Sequence, residues 1–136
     1  MAKTLKLEIV TPEARVFSDS VDMVTLPGIE GEMGVLPDHM PLMTQIEAGE
    51  IIARKGDEEF YLAVGDGFVE VTADRVSVLT DMAIEANNID EAKAEEALRA
   101  AQARMAEKAT DEEIAQIESA LVRAAIQLKV RRQRHK

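Results

Sequence analysis

PGIEGEMGVLPDHMPLMT, residues 27–44, packs Gly28, Gly31 and Gly34 together with Pro27, Pro37 and Pro41 into one short run. Proline removes a backbone donor and fixes φ, and glycine serves where φ must be positive or another backbone must come close. The run therefore reads as neither helix nor central strand. It also carries Ile29, Met33, Val35, Leu36, Met40, Leu42 and Met43, more apolar surface than a plain solvated loop. Two readings follow: an ordered, partly buried loop that presents something to a partner, or a linker that caps the end of a sheet.

Alternation surrounds this run. Leu5, Leu7 and Ile9 oppose Thr4, Lys6 and Glu8, the pattern of a half-buried strand. Short β-rich segments follow at 15–18, 21–26, 44–46 and 50–54. Lys55-Gly56-Asp57-Glu58 is a turn signal. Phe60, Leu62 and Val64 alternate, Gly65-Asp66-Gly67 marks a turn or bulge, and residues 68–72 and 76–80 are again β-rich. Eight to ten strands in about 85 residues suggest an antiparallel sandwich or barrel.

The character changes near Ala86-Asn87-Asn88. No Gly or Pro follows, and Ala, Glu, Lys, Arg, Leu and Gln dominate, all good helix formers apart from a few neighbours. Asn88 or Asp90 is placed to cap a first helix, whose stripe is Ala94, Ala97, Leu98, Ala101 and Met105. Thr110 with Glu113 forms a capping box for a second, with the stripe Ile114, Ile117, Leu121, Ala124 and Leu128. A connection of about Lys108 to Thr110 makes the two helices antiparallel neighbours. Alanine offers little area to bury, so the hairpin is expected to be weakly held and able to leave its docking site.

The chain has 136 residues and no Cys, which excludes disulfides and thiolate sites. It contains no run apolar enough to span a membrane and opens directly on strand-like alternation, with no targeting peptide in view. The formal charge of −10 argues against nucleic-acid binding. No acid follows Glu118, while Arg123, Lys129, Arg131, Arg132, Arg134 and Lys136 lie beyond it. That leaves ten basic against 26 acidic residues, a formal −16, on the first 118. The molecule is polar, with an acidic body and a basic end.

Chemistry is hard to place. The glycines of residues 28–34 lack the Lys-Ser/Thr and the helix of a phosphate loop. Asp38-His39 is half a triad with no nucleophile beside it, and His135 stands next to the end of the chain. A metal site would need Asp38, His39 and Glu32 to converge. The composition favours a binding or regulatory subunit, non-catalytic, without cofactor or metal.

The run at 27–44, then GDGFVEVTADRVSVLTDMA, then Ile89-Asp90 opening an Ala-rich hairpin, resembles the epsilon subunits of bacterial and chloroplast rotary ATP synthases. The likeness covers essentially the whole chain. It implies a mainly β plus α fold: a ten-stranded antiparallel β-sandwich (1–86) that binds gamma and the c-ring, then a regulatory two-helix hairpin (87–136). It implies a rotor subunit of the central stalk, peripheral on the cytoplasmic face of the bacterial plasma membrane and associated with it only through the complex. Glu32 and His39 fall where the family contacts the c-ring. Val35, Leu36, Leu42 and Met43 would anchor their run to the sandwich or face gamma. The hairpin would inhibit ATP hydrolysis by entering the alpha/beta head, with Arg123, Lys129, Arg131, Arg132 and Arg134 meeting an acidic segment of beta. Some members bind ATP in the compact hairpin. Here Ile89, Asp90 and Ala94 match that motif, Lys93 replaces Arg, and Arg123 matches a basic residue but Gln127 does not, so regulatory ATP binding is expected to be weak or absent. The other reading is a stand-alone β-sandwich binding module with a coiled-coil-forming tail.

Overall fold

The computed structural model describes residues 3–107 and 110–134. Ten strands are followed by a 3-10 turn and two helices. The strands are β1 (Leu5–Val10), β2 (Arg15–Val21), β3 (Met23–Gly28), β4 (Gly31–Val35), β5 (Leu42–Ile46), β6 (Gly49–Lys55), β7 (Glu58–Val64), β8 (Gly67–Val71), β9 (Arg75–Thr80) and β10 (Ala83–Glu85). The helices are α1 (Glu91–Met105) and α2 (Asp111–Arg134).

The strands form two layers. One runs β4-β3-β6-β7-β10 and the other β5-β8-β9-β1-β2. They join where Gly28 of β3 pairs with Ile46 of β5. Across the far side Phe17 of β2 meets Phe60 of β7 edge-on at 5.6 Å, and Lys55 reaches Asp19 at 3.0 Å. Every ladder is antiparallel except β1 with β9, which is parallel.

The alternation read from residues 4–10 places Leu5, Leu7 and Ile9 inward, and all three are buried. Val21, Val24, Leu26, Ile51, Leu62, Val69, Val76 and Val78 point into the same core from both layers. This is the layered solution that period-two sequences favour, with interdigitated aliphatic side chains between the sheets.

The run 27–44 departs from the loop reading. Pro27 and Gly28 finish β3, Ile29 and Glu30 make the turn, and residues 31–35 return as β4. Gly31 has φ +127°, which lets the chain reverse there. A Cβ on Gly28 would lie 2.7 Å from the Gly31 carbonyl oxygen, so the hairpin closes only over a glycine. β4 pairs with β3 alone and is an edge, where a proline opposite and glycines within are tolerated. The glycine and proline signals mark a tight hairpin, then a linker at 36–41.

In the helical part, Lys93 N–H donates to the Asp90 carboxylate at 3.1 Å, so Asp90 rather than Asn88 caps α1. Glu113 N–H donates to the Thr110 hydroxyl at 3.2 Å, the first bond of a capping box, and the Glu113 carboxylate reaches back to accept from that hydroxyl at 3.0 Å. The helices are antiparallel: Arg132 near the end of α2 holds Glu91 and Glu95 at the start of α1. Ala94 and Ala101 are buried from α1, and Ile117, Ala124, Leu128 and Val130 from α2. Ala97, placed on the α1 stripe from sequence, is exposed. The final turn of α1 and the start of α2 flank residues 108 and 109, which lie outside the described residues, as do His135 and Lys136.

Candidate functional site

Three surfaces hold the residues singled out from sequence. Glu32 sits on β4 opposite Pro27, one residue past the turn, with its side chain exposed. No hydrogen bond or ion pair ties it down among the described residues. It is an anionic group held on a short edge hairpin and presented to solvent. His39 lies on the β4–β5 linker, half-buried, with Nδ1 2.7 Å from the Met40 carbonyl oxygen. Asp38, in the left-handed region at φ 68°, turns its carboxylate away to Lys3, and its N–H donates to the Ala73 carbonyl. The Lys3 ammonium is held more firmly protonated by that hydrogen bond and charge. Asp38 and His39 thus do not share a proton, and no bond joins either to Glu32.

Beyond β4, the linker and the start of β5 expose apolar side chains. Val35 is fully buried, but Leu36, Met40, Leu42 and Met43 are exposed, Met40 at 78% and Met43 at 69%. Of the four residues expected either to anchor this run to the sandwich or to face a partner, Val35 is the one that anchors. The others, close to His39 in the chain, leave large apolar side chains in solvent.

The nucleotide candidates serve the compact fold. Ile89 is buried with Ala63, Ala86 and Val130. Ala94 is buried on α1. Asp90 is the α1 cap, and the exposed Lys93 supplies the backbone N–H it receives. Arg123 does not join them: it reaches Asp81, at the end of the sandwich, at 3.7 Å. It lines an open groove of about 870 Å³ with Ile29, Phe68, Val122, Asp66 and Asp81. The residues matched to a nucleotide motif are not assembled into one cradle.

The basic end is engaged as well. Arg132 donates from Nε to Glu91 at 2.7 Å and also contacts Glu95. Arg134 donates from Nε and Nη2 to the two oxygens of Glu50 at 3.0 and 2.8 Å. Its guanidinium carbon also lies 4.3 Å above the Tyr61 ring. Hydrogen bonding to Glu50 stabilises the charged guanidinium, which outweighs its partial burial. Lys129 is exposed, and Arg131 is half-buried.

Glu50, Tyr61, Asp81, Ile126 and Val130 were not singled out from sequence. The first three are distant partners of α2 that no local pattern marks. A signal existed on α2 itself: Arg123, Ile126, Val130 and Arg134 recur at spacings of three, four and four, a second stripe beside the one facing α1. The basic residues in it hid it.

Two family models match the chain. "ATP synthase, Delta/Epsilon chain, beta-sandwich domain" matches residues 4–86, and "ATP synthase, Delta/Epsilon chain, long alpha-helix domain" matches residues 87–131. An ATP synthase epsilon chain of Dehalococcoides mccartyi is 53% identical over 137 aligned positions, covering 100% of this chain and 97% of that protein. ATP synthase epsilon chain 2 of Syntrophotalea carbinolica is 47% identical, over 96% of this chain and 95% of that protein. Among solved structures, a chain of the Euglena gracilis mitochondrial ATP synthase (OSCP/F1/c-ring) matches with a TM-score of 0.72 and 25% identity. It covers 88% of this chain and 76% of that one.

Proposed function

The chain belongs to the ATP synthase delta/epsilon chain family, and from that premise we propose that it is a non-catalytic rotor subunit of the central stalk that couples the catalytic head to the c-ring and restrains ATP hydrolysis through its helical hairpin. The observation that carries this reading is the division of the molecule. A sandwich with a fully buried aliphatic core carries an edge hairpin that exposes Glu32, and a helical pair, alanine-lined on α1, rests on it through α2 against β6 and β7.

In this reading the sandwich binds gamma through exposed apolar side chains of the Leu36–Met43 segment, beside His39. The exposed Glu32 meets a polar or basic loop of the c-ring. A carboxylate on a rigid hairpin suits that contact, because the scaffold and not the side chain sets its position. The hairpin lies against the sandwich in the compact state and enters the alpha/beta head in the extended one. There Arg123, Lys129, Arg131, Arg132 and Arg134 meet acidic surface. No helix among the described residues is long and apolar enough to cross a membrane, and association with the membrane, on its cytoplasmic face, runs through the complex.

Deleting residues 90–136 from the assembled enzyme tests the regulatory half. ATP hydrolysis is expected to rise while gamma still co-purifies with the remaining sandwich. Unchanged hydrolysis would refute inhibition by the hairpin, and loss of gamma from the full-length chain would refute the stalk reading.

A further inference from the structure

Helix α2 touches the sandwich along one narrow line. Its middle is apolar: Val130, with Ile126, packs on Ala63, Ala86, Ile89, Tyr61 and Ile84. An arginine stands at each end. Arg123 faces Asp81, which lies between β9 and β10, and Arg134 grips Glu50 of β6. Eleven residues of helix separate the two, about 16 Å at 1.5 Å per residue.

The two ends are unequal. Arg123 makes one loose contact at 3.7 Å with both side chains well exposed. Arg134 makes two parallel hydrogen bonds to one carboxylate and lies over the Tyr61 ring, with Glu50 only 19% exposed. A forked, partly desolvated pair stacked on an aromatic face is the kind of ion pair that contributes, whereas a loose exposed one contributes little. The apolar patch between them is compact, with Ala63, Ala86, Ile89 and Val130 buried and Tyr61, Ile84 and Ile126 packed around them, and of the two ion pairs that flank it this one is the stronger.

We propose that Arg134, Glu50 and Tyr61 form a latch that holds the helical hairpin on the sandwich, and that releasing it is the step that frees the hairpin. The regulatory consequence rests on the inhibitory reading given above. The latch also makes the end of α2 dual-purpose. Arg134 cannot grip Glu50 and an acidic surface of another subunit at once, so a partner carboxylate competes directly with Glu50 for it. Arg132 is bound differently, to Glu91 and Glu95 of α1, and travels with the hairpin. The latch therefore divides the basic residues into one spent on the sandwich and one spent within the hairpin.

The chain has no cysteine, so a labelled pair is clean. Nitroxides at Asp57→Cys, on the β6–β7 turn, and Glu112→Cys, at the exposed start of α2, report the hairpin's position in the full-length subunit by pulsed dipolar spectroscopy. The parent chain is expected to give one dominant distance. Glu50→Gln and Arg134→Gln should each raise the ratio of open to docked forms about tenfold, as loss of a charge-assisted pair implies. Arg134→Lys should fall between, because the ammonium keeps the charge over Tyr61 and loses the fork. Melting of the sandwich should be unchanged in all three. An unaltered distance distribution in both Gln variants would overturn the latch. So would a matching loss of the sandwich's own melting transition, which would make the pair a support of the β-core. Hydrolysis by the assembled enzyme separates this from the inhibitory reading. A shifted distance with lowered hydrolysis supports both, and a shifted distance with unchanged hydrolysis keeps the latch and refutes inhibition.

Discussion

The two halves of this molecule bury different things. The sandwich buries Leu5, Leu7, Ile9, Leu26, Ile51 and Leu62 almost completely, with valines from both layers between them. Helix α1 buries only Ala94 and Ala101, and packs mainly on α2, which is the helix that rests on β7, β6 and the 3-10 turn. Apolar burial stabilises by about 25 cal/mol per Å², so the leucines of the sandwich and the alanines that α1 buries differ severalfold per residue, although α2 adds Ile117 and Leu128 to the seam. In the proposed function one half acts as a rigid platform and the other as a helical pair whose attachment is close to balance. A rotor contact needs the first property, and a switch needs the second.

Substitutions can break that contrast, or sharpen it. Leu7→Ala, in the fully buried centre of β1, should cost about 2–5 kcal/mol and lower the melting temperature of the whole sandwich. Chemical denaturation followed by far-UV circular dichroism measures it, and a cost below 1 kcal/mol would mean the core is not packed as described. Leu128→Ala on α2 removes a comparable side chain from the seam. Its effect should be confined to the hairpin, appearing as lost helical signal and faster exchange there, with the sandwich transition unmoved. A uniform destabilisation would show the two halves to be one cooperative unit.

The smallest effect concerns charge. Asp19 accepts hydrogen bonds from Lys55 and from Ser20 N–H, and these hold its carboxyl below the ordinary range. A depressed carboxyl adds stability above its unfolded pKa and loses it as pH falls through the folded value. Asp19→Asn should thus be slightly less stable than the parent at neutral pH, and the difference should vanish in acid. Thermal melts across pH 2 to 7 would show it; a difference that persists or grows in acid would contradict the assignment.

Legibility followed locality. The alternation of Leu5, Leu7 and Ile9 has its cause in neighbouring residues, and so do the Asp90 and Thr110 caps; these features were readable. The edge strand β4 was not. Its glycines and prolines signal a break, and only the pairing with β3 shows that they close a hairpin instead. The short β10 escaped for a related reason, since three residues carry too little pattern to read. The site was legible unevenly. Glu32 and His39 were placed by likeness to a family, and the fold shows where they stand. The pairing of Arg134 with Glu50 spans 84 positions, and its basic member looked like part of a solvated end. Helical spacing through Ile126 and Val130 was the clue that charge concealed.

Native-state hydrogen exchange of the full-length chain tests the central contrast most directly. Amides within residues 91–105 and 111–134 should exchange at least about tenfold faster than those at the centres of β1, β6 and β9, through an opening that leaves the sandwich protected. Equal protection in the helices and in the sandwich would contradict a hairpin held near balance on a rigid platform.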